Sequence, residues 1–454
     1  MRKNISLREL LVVAYKALVY VFLFLIFIYI MGVNNDSLLR VSRTSGVTYF
    51  VFGLAMSMMS VIYGGFDIGV KKSRPIFYSV LSATAFTDVM AYLALMIMNT
   101  NPSNNTSFKL DDLEFLLLAI VIQAVVIRIM AHGGNGFYFK MYKPKRTLIV
   151  GGEDTTDTTR VKNYLATYEK QYKIMLEVSE KQGNLQRIIE DHDLIVFVDV
   201  FGEARTRLTG YCYKKGIPFA YAPSVVDTIE MSGNFIVYDD KPMIEVSTKP
   251  LSLAQRIFKR LLDLIVSVVG TILISPIILL VAIAIKIDDG GTVFYLQDRL
   301  TINGSTFRII KFRTMKPNDN RTLATVDDDR ITRVGKILRR MRLDELPQIF
   351  NILKGEMSVV GPRPEQEFLF KQYEQVFPEF AYRLRVKAGL TGEAQIAGKY
   401  NTSPRDKLLL DLNYIQNYSV WRDVKLIFQT VTVFFKKDST EGIDVEGDIG
   451  VAKD

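Results

Sequence analysis

The sequence has 454 residues, 49% of them hydrophobic, and a formal net charge of +9. A chain of this length is too long to form a single ordinary hydrophobic core, so two or three folded units are expected. With a mean hydropathy of +0.15, the composition is typical of a chain that is partly membrane-embedded and partly globular.

The inventory of side chains excludes several kinds of site. Two histidines and one cysteine, Cys212, are too few for a multi-histidine metal site, a cysteine-based zinc or iron–sulfur site, or a disulfide. A divalent ion would therefore need oxygen ligands, which favours Mg²⁺ or Mn²⁺. The positive charge is compatible with nucleic acid, but the long apolar runs favour an anionic membrane surface or a phosphate-bearing substrate, so no nucleic-acid partner is expected.

Four apolar stretches fill the first third of the chain. They lie at residues 10–31, 48–63, 76–98 and 113–130. Most approach the ~20 residues that an α-helix needs to cross a bilayer. Lys and Arg are concentrated before the first stretch, between the second and third, and after the fourth. Because cytoplasmic loops are enriched in these residues, the pattern predicts a four-helix transmembrane region over residues 1–145 with both ends in the cytoplasm.

Residues 146–246 show a different pattern. Short apolar runs at 147–150, 194–200 and 235–238 alternate with polar helical segments. This alternation predicts a small parallel α/β domain. The first run ends at Gly151-Gly152, but the glycines lack the G-x-G-x-x-G spacing of a dinucleotide site. Nucleotide binding and a regulatory or structural role both remain open for this domain.

A linker around residues 241–252 leads to a fifth apolar run at 264–285. Its length is sufficient to span a bilayer. However, Ser275-Pro276 lies at its centre, where proline removes a helix hydrogen bond, and both flanks are basic. We therefore expect a broken, re-entrant helix that enters one leaflet and returns. The C-terminal residues 438–454 are acidic and predict a flexible tail.

The densest pattern of charge lies at residues 330–342. Six Lys and Arg side chains interleave with apolar residues at near-helical spacing. The pattern predicts an amphipathic helix on an anionic membrane face. Some of these arginines are also candidates for phosphate binding, because a planar guanidinium matches phosphate oxygens.

Asp344-Glu345 follows this basic segment directly. An ionised aspartate can attack phosphorus, and a second carboxylate can hold Mg²⁺ against phosphates. The alternative is an acidic pair that only favours a helix start. Further along, Gly361-Pro-Arg-Pro364 predicts a rigid turn that carries Arg363, either as a diphosphate clamp or as a plain surface turn.

These segments, taken together, carry a resemblance to the bacterial sugar transferases, the monotopic polyprenyl-phosphate phosphoglycosyl transferases. The matching motifs run in family order from Lys259 to about Lys437. They are Lys259-Arg-x-x-Asp263, Ser275-Pro276, Gln297-x-Arg299, Lys311-Phe-Arg-Thr-Met315, Leu343-Asp-Glu-Leu-Pro-Gln348, Gly361-Pro-Arg-Pro364 and Gly389-Leu-Thr-Gly392.

The resemblance extends to the layout of the whole chain. It implies a multi-domain membrane protein with an N-terminal four-helix transmembrane bundle, a Rossmann-like α/β domain over 146–246, and a monotopic α/β catalytic domain over 247–437 that contains the re-entrant helix. It places the chain in the bacterial inner membrane as a multi-pass protein, with its catalytic domain on the cytoplasmic face. A homodimer is compatible with this layout.

The resemblance implies transfer of a phosphosugar from a UDP-sugar to undecaprenyl phosphate at the start of exopolysaccharide or capsule synthesis. Asp344 would attack the β-phosphorus and release UMP, and undecaprenyl phosphate would then take the phosphosugar from the aspartate. Glu345 would assist, with both carboxylates as candidate ligands of Mg²⁺. The candidate contacts of substrate or phosphate are Arg339, Arg363, Lys311, Arg313, Lys399 and Asp423, with Lys399 standing where the family usually has arginine.

Three other interpretations are considered. Tyr211-x-x-x-Lys215 has the spacing of a short-chain dehydrogenase pair, but it follows the glycine turn too closely for an oxidoreductase. A non-catalytic membrane scaffold or sensor of polysaccharide synthesis would have no use for an ionised acidic pair among arginines. A glycosyl transferase that moves the sugar without its phosphate would release UDP instead of UMP.

Overall fold

A computed structural model of the chain describes residues 7–100, 107–152, 155–247, 251–316, 329–398 and 402–433. The chain divides into two compact units, residues 1–222 and 223–454. The predicted tail at 438–454 lies outside the described residues.

The first unit begins with long apolar helices at the predicted positions. The helices are α1 Leu7–Met31, a short α2 Asp36–Leu39, α3 Arg43–Tyr63, α4 Ser73–Asn99 and α5 Leu113–Met141. The four long helices have the length and the apolar composition needed to cross a membrane. This confirms the predicted apolar helices. Their arrangement as a bundle in a bilayer stays a prediction.

A polar pair lies inside this group of helices. Asp88 on α4 and Gln123 on α5 are both fully buried. The Gln123 Nε2 donates to the Leu23 carbonyl oxygen on α1 at 3.0 Å and to the Asp88 carboxylate at 3.3 Å. Hydrogen bonds of this kind between apolar helices each contribute about 1 kcal/mol, so one side chain links three helices.

The rest of the first unit is an α/β fold. Its elements are β1 Lys145–Gly151, α6 Thr155–Ala166, β2 Tyr172–Ser179, α7 Leu185–Glu190, β3 Leu194–Val198, α8 Gly202–Lys215 and β4 Phe219–Tyr221. The four strands are parallel in the order β2-β1-β3-β4. This confirms the predicted parallel sheet, with two strands, β2 and β4, that the sequence analysis did not identify.

The glycines after β1 have a packing role. A Cβ on Gly152 would lie 2.1 Å from the Asp199 carbonyl oxygen. The Gly152 amide donates to the Val198 carbonyl oxygen at 2.9 Å. The close approach of the two strand ends therefore requires glycine here, whether or not a ligand binds.

The second unit opens with α9 Val225–Glu230 and an antiparallel hairpin of β5 Asn234–Tyr238 and β6 Lys241–Glu245. The predicted apolar run at 235–238 is thus a strand, but it pairs within this hairpin and not in the parallel sheet. The prediction of a linker around 241–252 is wrong for residues 241–245, because their backbone pairs with β5. The proline and the two charged residues of β6 interrupt the apolar pattern by which a strand is recognised in a sequence.

The remaining elements follow in chain order. They are α10 Leu253–Asp289, β7 Phe294–Leu300, β8 Thr306–Phe312, α11 Arg333–Arg340, α12 Ile349–Lys354, β9 Ser358–Val360, α13 Glu367–Val376, β10 Gly389–Thr391, α14 Glu393–Ala397, α15 Pro404–Gln416 and α16 Val420–Val433. Strands β7 and β8 form an antiparallel hairpin, and β9 pairs with β10 in parallel.

Helix α10 is the longest element, with 37 residues. Ser252 and Gln255 form a capping box at its start, and Gly290 ends it with a φ of 70°. Pro276 lies within the helix. Near its start Asp263 accepts hydrogen bonds from Ser358 and Val359 on β9, both at 2.9 Å. Near its end Val281 and Ile285 pack against Phe312 and Leu338.

Candidate active site

The acidic pair lies on a 3₁₀ helix, Leu343–Gln348, directly after α11. Arg342 joins the two helices with a φ of 52°, in the left-handed region. Such a conformation costs of order 1 kcal/mol or more for a residue with a side chain, and it is found preferentially at functional sites. The turn ends α11 and redirects the chain. Asp344 is 5% exposed, and the Glu345 side chain is 12% exposed.

Glu345 is the point at which two cations meet. Its Oε1 accepts a hydrogen bond from Lys311 Nζ at 3.3 Å and from Arg363 Nη2 at 3.0 Å. Lys311 lies on β8, and Arg363 lies in the turn after β9. The fold therefore brings together three predicted site segments around one carboxylate, next to Asp344. A carboxylate with two cationic donors holds both in fixed positions.

Arg339 lies in the last turn of α11, before the acidic pair. Its Nε donates to Thr314 Oγ1 at 3.0 Å, just after β8. Gly335 allows α11 to approach this segment, since a Cβ there would lie 2.2 Å from the Thr314 carbonyl oxygen. The predicted Arg339 is thus anchored beside the strand that carries Lys311.

Arg313 is held differently from the other predicted cations. It is 9% exposed and forms an ion pair with Asp289 at the end of α10. The neighbouring Asp288 accepts a hydrogen bond from the Val334 amide at 3.1 Å, at the first turn of α11. The described contacts of Arg313 are therefore structural, and its predicted role in phosphate binding stays a prediction.

The turn that carries Arg363 is bound to strand β10. The Gly361 amide donates to the Thr391 carbonyl oxygen at 2.8 Å, and the Gly389 amide donates to the Pro362 carbonyl oxygen at 2.9 Å. A Cβ on Gly389 would lie 2.0 Å from the Gly361 nitrogen. Backbone contact at this distance leaves no room for a side chain, so the glycines fix the position of the turn.

Two arginines bind the far side of this turn. Arg299 Nη1 donates to the Pro364 carbonyl oxygen at 3.2 Å, and Arg383 Nη2 donates to the Arg363 carbonyl oxygen at 3.0 Å. Burial disfavours the charged form of Glu365, but nearby cations, Arg383 foremost, outweigh burial and hold the pKa of Glu365 below its usual value. The carboxylate next to the turn is therefore ionised at neutral pH.

Asp423 lies in a buried ion pair with Lys259 on α10. The Nζ–Oδ2 distance is 2.8 Å, and the side chains are 7% and 1% exposed. Lys259 also donates to the Val360 carbonyl oxygen at 2.8 Å and to Tyr414 Oη at 3.0 Å. Burial raises the pKa of Tyr414 well above its usual value, so its hydroxyl stays protonated and donates to Asp423 at 2.7 Å. These contacts are internal, and the predicted contact of Asp423 with substrate stays a prediction.

The other predicted residues lie elsewhere. Lys399 is outside the described residues. Ser275 and Pro276 are exposed on α10, and Ser275 Oγ donates to the Ile272 carbonyl oxygen at 3.0 Å. The helix continues through Pro276, so it is not broken at Ser275-Pro276 as predicted, and the re-entrant path stays a prediction.

The structure adds residues to the site that the sequence analysis had not assigned a role. Lys259 and Arg299 belong to the motifs that match the family, but no function was predicted for either residue. No function was predicted for Arg383 either. Its position between the apolar-bodied Tyr382 and Leu384 could have indicated a buried arginine. Asp289 is one of two consecutive acids that end an apolar helix.

The donor set of the site is compatible with Mg²⁺. Among the described residues, no group of three or more His, Cys, Asp and Glu side chains comes together to hold a metal. Mg²⁺ usually takes one or two carboxylates and completes its coordination with water and substrate phosphates. Asp344 and Glu345 would be such a pair, and their role as metal ligands stays a prediction.

Comparison with known proteins gives consistent results. Residues 254–437 match the family model described as bacterial sugar transferase. The UDP-glucose:undecaprenyl-phosphate glucose-1-phosphate transferase of Escherichia coli (strain K12) is 28% identical over 86% of this chain and 90% of its own length. The exopolysaccharide production protein ExoY of Sinorhizobium fredii is 38% identical over 38% of this chain and 84% of its own length.

A third relative matches a smaller part of its own length. The UDP-N-acetylgalactosamine-undecaprenyl-phosphate N-acetylgalactosaminephosphotransferase of Aeromonas hydrophila is 41% identical over 38% of this chain and 42% of its own length. The names of these relatives include two donor sugars, glucose and N-acetylgalactosamine.

Proposed function

The chain belongs to the bacterial sugar transferase family, and we propose that it transfers a phosphosugar from a UDP-sugar to undecaprenyl phosphate, with release of UMP, to initiate exopolysaccharide or capsule synthesis. The observation that carries this proposal is the cluster of Lys311 and Arg363 on Glu345, beside the buried Asp344. Phosphoryl transfer depends on positioning and on neutralisation of charge, which this cluster offers.

The proposed reaction has two steps. In the first, an Asp344 carboxylate oxygen forms a bond to the β-phosphorus of the UDP-sugar, and the bond from that phosphorus to the bridging oxygen breaks, so UMP leaves with the electron pair. In the second, an oxygen of undecaprenyl phosphate attacks the same phosphorus and the aspartyl–phosphorus bond breaks. The products are undecaprenyl diphosphate sugar and a regenerated carboxylate.

The cations have distinct tasks in this scheme. Arg363, whose side chain is 35% exposed, reaches the phosphate oxygens while Glu345 orients it. Lys311, 13% exposed, adds positive charge at the same oxygen of Glu345. Mg²⁺ held by Asp344 and Glu345 would neutralise further charge of the diphosphate.

The contacts of α10 support a re-entrant path for this helix. Lys259 near its start and Asp289 at its end both bind residues of the second unit. A helix whose two ends bind one folded unit has both ends on the same side of the membrane. We therefore propose that residues 264–285 enter one leaflet and return, with Pro276 at the bend, and that the site faces the cytoplasm at the inner membrane.

The test is UMP release by the purified full-length protein in detergent, with Mg²⁺, undecaprenyl phosphate and a panel of UDP-sugars that includes UDP-glucose and UDP-N-acetylgalactosamine. The parent should release UMP only with the correct donor, and Asp344→Asn should release none. Asp298→Asn, a matched change on the exposed face of β7, should retain parent activity.

The covalent step has its own test. Without undecaprenyl phosphate, the parent should release about one UMP per protein and gain the mass of one phosphosugar, and Asp344→Asn should do neither. Release of UDP, or an active Asp344→Asn variant, would contradict the proposed reaction. Lack of UMP with every donor would favour the scaffold interpretation.

A further inference from the structure

The turn that carries Arg363 has an unusual set of donors behind it. Within residues 360–364, three carbonyl oxygens accept hydrogen bonds from buried or half-buried cations. These pairs are Val360 with Lys259, Arg363 with Arg383, and Pro364 with Arg299. Backbone carbonyls usually bind amides or water. Here cationic side chains bind them, with the stronger hydrogen bonds that charged donors form.

Of the three cations, Arg383 binds the backbone of Arg363 itself. Its side chain is 2% exposed. Nη1 donates to Glu365 Oε1 at 3.3 Å, and Nη2 donates to the Arg363 carbonyl oxygen at 3.0 Å and lies 2.8 Å from Asp411 Oδ2. The guanidinium carbon also lies 4.7 Å from the centre of the Phe380 ring. Packing and hydrogen bonds therefore fix the plane of this guanidinium.

Charged side chains of both signs surround Arg383. Glu365 and Asp411 are the acids, and Lys407, one helical turn before Asp411 on α15, is a second base. Burial opposes the charged form of Arg383, but the two carboxylates outweigh it, so the pKa of Arg383 is raised. The guanidinium therefore stays charged.

We propose that Arg383 is a positioning residue: its guanidinium holds the Arg363 carbonyl oxygen and so sets the backbone from which the Arg363 side chain reaches Glu345. This inference rests on the proposed function. Only a planar fork can serve Glu365 and the Arg363 carbonyl from two nitrogens while it faces Asp411. A lysine keeps the charge but presents one nitrogen.

Arg383→Lys is therefore the decisive variant, and Arg385→Lys is its matched control. Arg385 lies on the same 3₁₀ helix, Pro378–Arg385, with its guanidinium 5.2 Å from the Tyr382 ring. A displacement of about 1 Å at a reacting centre lowers the rate by about 100-fold. We expect kcat for UMP release to fall between about 10-fold and 100-fold in Arg383→Lys, with KM for the UDP-sugar within about threefold of parent. Arg385→Lys should match the parent.

A double-mutant cycle with Arg363→Lys separates positioning from general stability. If Arg383 acts through Arg363, the double variant should be no more than about twofold slower than Arg363→Lys alone. If the fold-losses of kcat in the two single variants multiply in the double variant, the inference is overturned. An Arg383→Lys variant with the kcat of the parent would also overturn it. If the parent itself releases no UMP, the proposed function fails first, so the two failures are distinguishable.

A second variant keeps the test informative if Arg383→Lys does not fold. The pair Glu365→Gln with Arg383→Met removes one buried acid and one buried base, so Asp411 and Lys407 remain balanced. This variant should show a cooperative melting transition and the same loss of kcat. Parent kcat in this folded variant would overturn the inference.

Discussion

The ion pair between Lys259 and Asp423 gives a prediction that separates two roles for Asp423. Both donors around Asp423, Lys259 Nζ at 2.8 Å and Tyr414 Oη at 2.7 Å, point at its carboxylate oxygens. Asp423→Asn would replace one of these acceptors by an amide donor and leave a buried lysine without its counter-charge. The loss of one partner from a buried ion pair costs about 3–5 kcal/mol.

The melting temperature should fall accordingly. For a domain of about 150–250 residues, 1 kcal/mol corresponds to about 2–4 °C. The expected decrease in Asp423→Asn is therefore about 6–20 °C. Trp421, the single tryptophan of the sequence, lies on the same helix α16, two residues before Asp423. Its fluorescence in a thermal scan in detergent thus reports the affected helix directly.

Two further variants serve as controls. Asp298→Asn removes one partner of an exposed pair, 70% exposed and 3.6 Å from Arg308, and should change stability by no more than about 1 kcal/mol. Lys259→Met combined with Asp423→Asn should lose less than the sum of the single changes, because neither buried charge remains.

The activity of Asp423→Asn decides between the two roles. A melting temperature equal to that of the parent, together with a large loss of UMP release, would refute the structural role and favour the predicted contact with substrate. A large fall in melting temperature would support the structural role.

Three other predictions follow from the geometry. Glu345→Gln should lower UMP release by at least about 100-fold, because the neutral amide no longer offsets the charges of Lys311 and Arg363; parent activity would contradict this role. Pro276→Leu should allow α10 to run straight, and we expect UMP release to fall at least tenfold while the protein stays in the membrane fraction. Burial raises the pKa of Cys212, so iodoacetamide at pH 8 should label it only after denaturation, as mass spectrometry would show. Because the folded state favours its neutral thiol, this contribution to stability is present below the unfolded thiol pKa of about 8.5 and declines above it.

Hydrophobic patterns predicted the long apolar helices and missed two strands of the parallel sheet. The runs at 10–31 and 113–130 lie within α1 and α5. Strand β2 was missed because it is at the edge of its sheet and has a mixed pattern of exposed and half-buried residues. Strand β4 has three residues, too few for periodicity to be recognised.

The candidate site was predictable in its charges but not in its pairings. Glu345, Lys311 and Arg363 come together, but Arg313, from the same motif as Lys311, pairs with Asp289. Only Phe312 separates Lys311 from Arg313, yet the two cations bind different carboxylates. Which carboxylate a cation meets depends on tertiary packing, which a single sequence does not specify.

Helix α10 connects both halves of the site. Near its start, Lys259 binds the carbonyl oxygen of Val360, directly before the turn that carries Arg363. At its end, Asp288 binds the first turn of α11, the helix that leads to Asp344. Arg363 and the acidic pair, which the proposed reaction brings to one phosphate, are thus each tied to one end of the same apolar helix. Because these contacts are buried or half-buried, the distance between the two ends of α10 bears directly on the geometry of the site. If α10 enters the membrane as proposed, a lipid acceptor beside it would meet a site that this helix helps to assemble.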